Sequence, residues 1–206
     1  MTTESTQFWE NRYQHTDPGW GTRPNAVFAD VVPALCPEPG TALDLGCGHG
    51  GDARWLAGRG WRVMAVDVSE TALGRIAEAA EADGVTEQIT VACHDLSRSF
   101  PEGAFDLVSA SYFHSPVEFP RERVLRRAAE AVVPGGLLLV VDHASAAPWS
   151  WNRDQVFPTP QETADGLGLG PGWRVERLDA PRRTVTGPDG QVAEMTDNVI
   201  ALRRER

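Results

Sequence analysis

Cysteine is scarce in this 206-residue chain. Cys36, Cys47 and Cys93 are odd in number and form no C-x-x-C pair, so neither a disulfide framework nor a zinc knuckle is encoded, and reduced thiols in a cytoplasmic protein are expected. Long apolar runs are missing too. The longest, Leu137 to Val141, has the length of a strand, far short of the roughly 18 to 20 residues that cross a bilayer. Met1-Thr2-Thr3-Glu4-Ser5 lacks a basic segment leading into an apolar one, so no export signal is expected and the cytoplasm is the expected location. Positive charge is also in short supply: 29 acidic residues face 19 basic ones, giving a net charge of −10. A duplex nucleic-acid binder must neutralise phosphates with clustered cations, so no nucleic-acid partner is expected, and an anionic membrane surface is disfavoured. Internal repeats, low-complexity tracts and linkers are absent as well.

What is present suits one globular domain with decoration. At roughly 150 residues per domain the length corresponds to about 1.4 domains. From residue 41 onward short apolar runs alternate with helical patterns, as in a parallel sheet covered on both faces. Residues 41–45, 62–67, 89–93, 105–110 and 136–141 read as five strands. Leu73, Ile76, Ala77 and Ala80 give one apolar helix face between them, with Ser69 as its N-cap. Val124, Leu125, Ala128, Ala129 and Val132 give another, stopped by Pro134-Gly135-Gly136. Thr159, before Pro160, should cap a helix to Leu167. Residues 173–178 and 192–202 read as two further strands, joined as an antiparallel hairpin by the turn Gly187-Pro188-Asp189-Gly190. The expectation is an α/β, Rossmann-like, seven-stranded and mostly parallel sheet with an antiparallel last strand and helices on both faces. Residues 1–40, with Phe8, Trp9, Tyr13 and Trp20 and a short helix near 25–32, form an aromatic N-terminal cap of the same domain; residues 41–206 form its main body.

The segment Asp44-Leu45-Gly46-Cys47-Gly48-His49-Gly50-Gly51 ends the first strand and opens a helix near Asp52. Glycines admit a ligand to the backbone, and the helix start offers free N–H groups. The loop satisfies both G-x-G-x-x-G, through Gly51, and G-x-G-x-G, through Gly50, so glycine spacing alone does not name the ligand. Asp44 helps to decide: a carboxylate at this strand end repels a pyrophosphate and attracts an ammonium group, so a cofactor with an amino-acid end fits better. Asp67 closes the second strand, where it can accept from a ribose diol. Asp95, after the third, can accept from an exocyclic adenine amine. These acids line one crevice.

In these residues the chain resembles a class I S-adenosylmethionine-dependent methyltransferase: A-L-D-L-G-C-G-H-G is similar to that family's first motif, V-M-A-V-D to its second and C-H-D-L to its adenine-side loop. F-D-L-V-S-A and V-P-G-G-L-L-L-V are similar to its fourth and fifth strand motifs. Phe8-Trp9, Tyr13, Pro18-Gly19-Trp20-Gly21 and Pro24, together with Arg183-Thr184 and residues 187–190, resemble the small-molecule branch of thiopurine and tellurite-resistance methyltransferases. There a His-Arg pair lies at the substrate; here Arg182 stands at the histidine position. The resemblance implies methyl transfer from S-adenosyl-L-methionine to a small-molecule acceptor through a sulfur, nitrogen or oxygen nucleophile, with S-adenosyl-L-homocysteine as product. It implies cofactor contacts from Asp44, Gly46, Cys47, Gly48, Gly50, Asp67, Val68, Asp95, Leu96, Ser111, Trp20 and Arg23.

In-line displacement at a sulfonium asks the protein to hold and deprotonate the acceptor rather than to stabilise new charge at the donor. His143 and His114, just past the fifth and fourth strands, and Arg183 are the candidate catalytic residues. Asp142-His143 and His94-Asp95 have no third ligand at metal spacing, so no metal is expected. Trp9 and Trp20, with Trp149 and Trp151, could lid an apolar or aromatic acceptor, while Trp55, Trp61 and Trp173 read as core. Two alternatives stand beside this reading: a nicotinamide-dependent oxidoreductase on the G-x-G-x-x-G spacing, and a catalytically silent S-adenosylmethionine-binding protein. Nothing in the sequence specifies an oligomeric state.

Overall fold

The structure is a computed structural model that describes residues 3–19, 21–150, 156–187 and 189–206. Expectations resting on Trp20, Trp151 and Pro188 lie outside the described residues. Two helices, α1 (Glu4–His15) and α2 (Ala26–Leu35), precede β1 (Thr41–Leu45), α3 (Gly51–Ala57), β2 (Arg62–Asp67), α4 (Glu70–Ala82), β3 (Ile89–Cys93) and β4 (Phe105–Ser111). Then come α5 (Arg121–Glu130), β5 (Val132–His143), α6 (Pro160–Leu167), β6 (Trp173–Asp179), β7 (Arg182–Thr186) and β8 (Val192–Arg204). The sheet order is β3-β2-β1-β4-β5-β8-β6, with β7 paired to β8 off that path. The pairs among β1 to β5 are parallel, and β8 runs antiparallel to β5, β6 and β7. No described helix is long and apolar enough to cross a membrane.

Both faces of the sheet are covered, which is why its central strands are apolar runs rather than alternations. Ala42, Leu107, Leu137, Leu139 and Val141 face a core with Phe28 and Val31 of α2 and Leu56 of α3. Their neighbours Leu43, Val108, Leu138 and Val140 face Val124, Leu125 and Ala128 of α5 and Leu167 of α6. Trp61 is buried, and Trp55 and Trp173 pack partly buried against these two cores.

Three expectations need correction. The sheet has eight strands rather than seven, because Arg182–Thr186 forms β7. The chain between Thr186 and Val192 therefore joins β7 to β8, and residues 173–178 are not the hairpin partner reached through it. The cause is length: β8 has 13 residues, of which Val199 to Arg204 pair with β6, so its first half, Val192 to Thr196, takes a partner of its own. At the other end α5 stops at Glu130, and Val132 already belongs to β5. Pro134-Gly135-Gly136 sits in that strand, where the register against β4 shifts between Phe105 and Leu107.

Ser69 and Thr159 both cap as their positions foretell. Thr159 accepts from the Glu162 N–H at 3.1 Å while its own N–H donates to Glu162 Oε2 at 2.8 Å, a reciprocal box with Pro160 in the first turn. Thr159→Ala should cost about 1 kcal/mol, read as a melting temperature about 2 to 4 °C lower in thermal unfolding.

Candidate active site

A cavity of about 490 Å³ opens at the carboxyl ends of β1, β2 and β4. Ser5, Trp9 and Tyr13, spaced four apart on α1, form one wall; residues 21 and 23–26 form another. The glycine loop makes the floor. Gly46, Gly48 and Gly50 all adopt left-handed φ values, 65°, 54° and 76°, which turns the chain from β1 into α3 within six residues. Cys47 N–H donates to Val66 O at 3.0 Å and Gly50 N–H to Cys47 O at 2.8 Å. Gly46, Cys47 and Gly48 line the cavity; Gly50 caps α3 behind it.

Gly51 carries a different constraint. A Cβ there would stand 2.2 Å from Arg23 O and 2.8 Å from Gly21 O, both backbone atoms that cannot swing aside. Gly51→Ala should destabilise the fold by about 2 to 3 kcal/mol, seen as a melting temperature lower by roughly 4 to 12 °C, because the segment over α3 must move bodily.

Four acids meet in the cavity. Asp44 is 2% exposed; its Oδ1 accepts from Ser109 Oγ at 3.2 Å, and its Oδ2 is buried without a partner. Burial, and then the charge of Asp52, hold its carboxyl well above the usual carboxylate range. Asp67 accepts from the N–H groups of Gly48 and Ser69, both at 3.0 Å. Burial pushes its carboxyl up against the pull of those donors. Asp95 accepts from Ser97 Oγ at 2.6 Å and from Thr3 Oγ1 at 2.7 Å. Burial raises it, but these donors outweigh burial and leave it below its ordinary value. Val68, Leu96, Ser111 and Arg23 also line the cavity.

The fourth acid, Asp52, belongs to none of the motifs that mark the other three. It starts the first turn of α3 with Oδ1 accepting from the Asn25 N–H at 2.7 Å and Oδ2 from Ser111 Oγ at 2.6 Å. Burial outweighs these donors and pushes its carboxyl up to about 6. An acid in a helix's first turn reads from sequence as a dipole partner, which hid its second role as a bridge from the cap to β4.

The three candidate catalytic residues part company. His114 and Arg183 line the cavity, beside Tyr112, Phe113 and Phe119. His114 Nε2 lies 3.1 Å from Asp142 Oδ1, at an angle short of a hydrogen bond. Asp142 is buried and ion-paired to Arg121, whose Nε donates to Phe113 O at 2.8 Å. Arg183 is ion-paired to the buried Asp197 and donates to Tyr112 Oη at 2.9 Å. His143 does not line the cavity: its ring stacks on Tyr112 at 3.9 Å, and Nδ1 lies 3.4 Å from Asp197 Oδ1. Buried as it is, Asp197 stays below the usual carboxylate range because His143, Arg183 and Tyr112 all donate to it. Tyr112 is the one described non-glycine residue at positive φ, 50°. Of the tryptophans considered for a lid, Trp9 lines the cavity and Trp149 does not.

A methyltransferase-domain family model matches residues 42–136. Sarcosine/dimethylglycine N-methyltransferase of Halorhodospira halochloris is 38% identical over 110 residues, 50% of this chain and 38% of that protein. Ribosomal RNA small subunit methyltransferase C of Chromohalobacter salexigens is 32% identical over 141 residues, 65% of this chain and 40% of that protein. The chain thus spans about two fifths of the length of these curated relatives. Among solved structures, one described with the conversion of a disulfide bond into a thioacetal group during echinomycin biosynthesis superposes with a TM-score of 0.74 at 25% identity. The superposition covers 97% of this chain and 93% of that one. TehB from Haemophilus influenzae shares the fold, with a TM-score of 0.68 at 18% identity over 98% of this chain and 67% of that one.

Proposed function

Since this chain belongs to the class I S-adenosylmethionine-dependent methyltransferases, with residues 42–136 as its methyltransferase-domain match, we propose that it transfers a methyl group from S-adenosyl-L-methionine to a small-molecule acceptor and releases S-adenosyl-L-homocysteine. The observation that carries this reading is Asp44 Oδ2, a buried carboxylate oxygen without a partner at the wall of the cavity. Such an atom asks for a cation, and it stands where the pyrophosphate of a nicotinamide cofactor would be repelled.

When bound, S-adenosylmethionine supplies a methyl group on a sulfonium, open to in-line attack. The chain's own residues do the holding. Asp44 takes the ammonium, Asp67 the ribose hydroxyls and Asp95 the adenine edge, with Gly46, Cys47 and Gly48 giving the backbone close approach. His114 is the group at the acceptor end able to take a proton, and Asp142, fixed by Arg121, is its positioning residue. Phe113, Phe119, Tyr112 and Trp9 give the acceptor an apolar, aromatic enclosure. Arg183 adds a donor at its rim. A net charge of −10 speaks against a ribosomal RNA acceptor of the kind some similar proteins are named for. Three unpaired cysteines suit a reducing compartment such as the cytoplasm.

The test is a methyl-acceptor screen over thiols, phenols and amines that reads S-adenosylhomocysteine release, beside calorimetry with S-adenosylhomocysteine and with NAD. Release with one acceptor class is expected. Tight NAD binding with no binding of S-adenosylhomocysteine would overturn the reading, and binding without release from any acceptor would point to a silent binding protein.

A further inference from the structure

Asp44 and Asp52 both line the cavity wall, one on β1 and the other in the first turn of α3. All 19 basic residues of the chain are arginine, and among the described residues none of them, nor any histidine, forms an ion pair with either acid. Hydroxyl and backbone donors address three of the four carboxylate oxygens: Ser109 on Asp44, Ser111 and Asn25 on Asp52. The fourth, Asp44 Oδ2, is buried, unpartnered and at the cavity. Two buried carboxylates with no counter-ion among the described residues cannot both stay ionised at little cost, so a proton on the pair offsets their repulsion.

We propose that Asp52 is the second acid of the pocket for the cofactor's ammonium group, and that Asp44 and Asp52 share one proton in the empty site, which the arriving ammonium displaces. This rests on the reading of the cavity as an S-adenosylmethionine site. Cofactor binding is then coupled to proton release, and affinity falls as the medium becomes acidic. The displaced proton goes to buffer; both carboxylates then face the ammonium, and Asp52 keeps its hold on the Asn25 N–H and so on the cap segment over the pocket. The raised carboxyls of both acids agree with a retained proton.

Other ionisable groups face the same cavity: Asp67 from β2, Cys47 and His49 from the glycine loop, Tyr13 from α1, Arg23 from the cap segment, Tyr112 and Arg183 from the acceptor end, and His94, Asp95 and His114 farther along it. They set the design of the test. Calorimetric titration of the full chain from pH 5 to pH 8, in buffers of different ionisation heat, counts protons for S-adenosylhomocysteine and for 5′-methylthioadenosine, which lacks the amino-acid end. With S-adenosylhomocysteine about one proton should leave at pH 6, and affinity should weaken about tenfold for each pH unit below that. With 5′-methylthioadenosine neither effect should appear. Asp52→Asn should move the release to lower pH, since Asp44 then loses its charged neighbour, while His49→Gln should leave it in place. Binding of S-adenosylhomocysteine without proton release between pH 5 and pH 8, or an Asp52→Asn profile like the wild type, overturns the inference and leaves the proposed function standing. Absence of S-adenosylhomocysteine binding at every pH would instead remove the proposed function itself. The wild-type comparison of the two ligands decides the matter even if a variant fails to fold.

Discussion

Replacing His114 by glutamine is expected to lower turnover about a hundredfold while leaving S-adenosylhomocysteine affinity unchanged. His114 follows the point where β4 leaves the sheet. Tyr112, at φ 50°, makes the bend, and the His114 N–H donates to Tyr112 O at 2.8 Å, so the imidazole is carried to the cavity wall by backbone geometry rather than by a flexible loop. Asp142 beneath it is 1% exposed and anchored by Arg121. A carboxylate so fixed stands 3.1 Å from Nε2 and gives the ring a rigid neighbour at the cavity wall. If the proposed role, proton removal, holds, the loss should shrink at alkaline pH for thiol or phenol acceptors, which then ionise on their own. Asp142→Asn should lower turnover less and shift the pH profile, as expected of a positioning residue. His143→Gln should leave turnover near wild type, since its ring is spent on Tyr112 and Asp197 outside the cavity. Steady-state kinetics across pH checks all three; unchanged kcat in the His114 variant would sink the assignment.

The contrast between the two histidines explains how much of the site could be read from sequence. One ends a strand of the central sheet and the other stands just past one, so periodicity treats them alike. What separates them is Tyr112 and Asp197, which meet His143 from β4's end and β8, 85 residues apart in the chain, and Arg183 of β7, which binds both of them. No local pattern reports such a meeting. The acids at strand ends are the opposite case: Asp44 and Asp67 are fixed by strand boundaries, and strand boundaries in a sheet buried on both faces are marked by apolar runs. Asp95 follows the same logic, but its contact with Thr3 does not, because it depends on where the start of α1 meets the loop after β3.

The fold divides along the same line. Five parallel strands and the caps Ser69 and Thr159 were readable because burial on two faces and orphan N–H groups leave strong residue preferences. β7 was not. Arg182–Thr186 is polar and alternates exposed with half-exposed positions, an edge strand whose existence follows from the excess length of β8 rather than from its own composition. Pro134-Gly135-Gly136 misled because the same residues that stop a helix also build a bulged strand entry.

Asp44→Asn is expected to cut S-adenosylhomocysteine affinity by about 2 to 3 kcal/mol, a factor of roughly 30 to 150, because a charge-assisted hydrogen bond to the ammonium becomes a neutral one. Binding of 5′-methylthioadenosine should stay at wild-type level, which ties the loss to the amino-acid end. Stability should move the other way. The folded-state carboxyl of Asp44 lies well above its unfolded value, so its contribution favours the fold below about pH 4 and is lost as pH rises through the folded value. Asparagine keeps an oxygen for Ser109 and carries no charge to desolvate. The unliganded variant should therefore melt about 2 to 4 °C above wild type at pH 8, for each 1 kcal/mol recovered, and converge with it near pH 4. Saturating S-adenosylhomocysteine should reverse the order, since the ligand stabilises whichever protein it binds more tightly. A residue kept for packing would lose stability on substitution; one kept for its ligand gains it, and melting curves with and without ligand at the two pH values tell these apart.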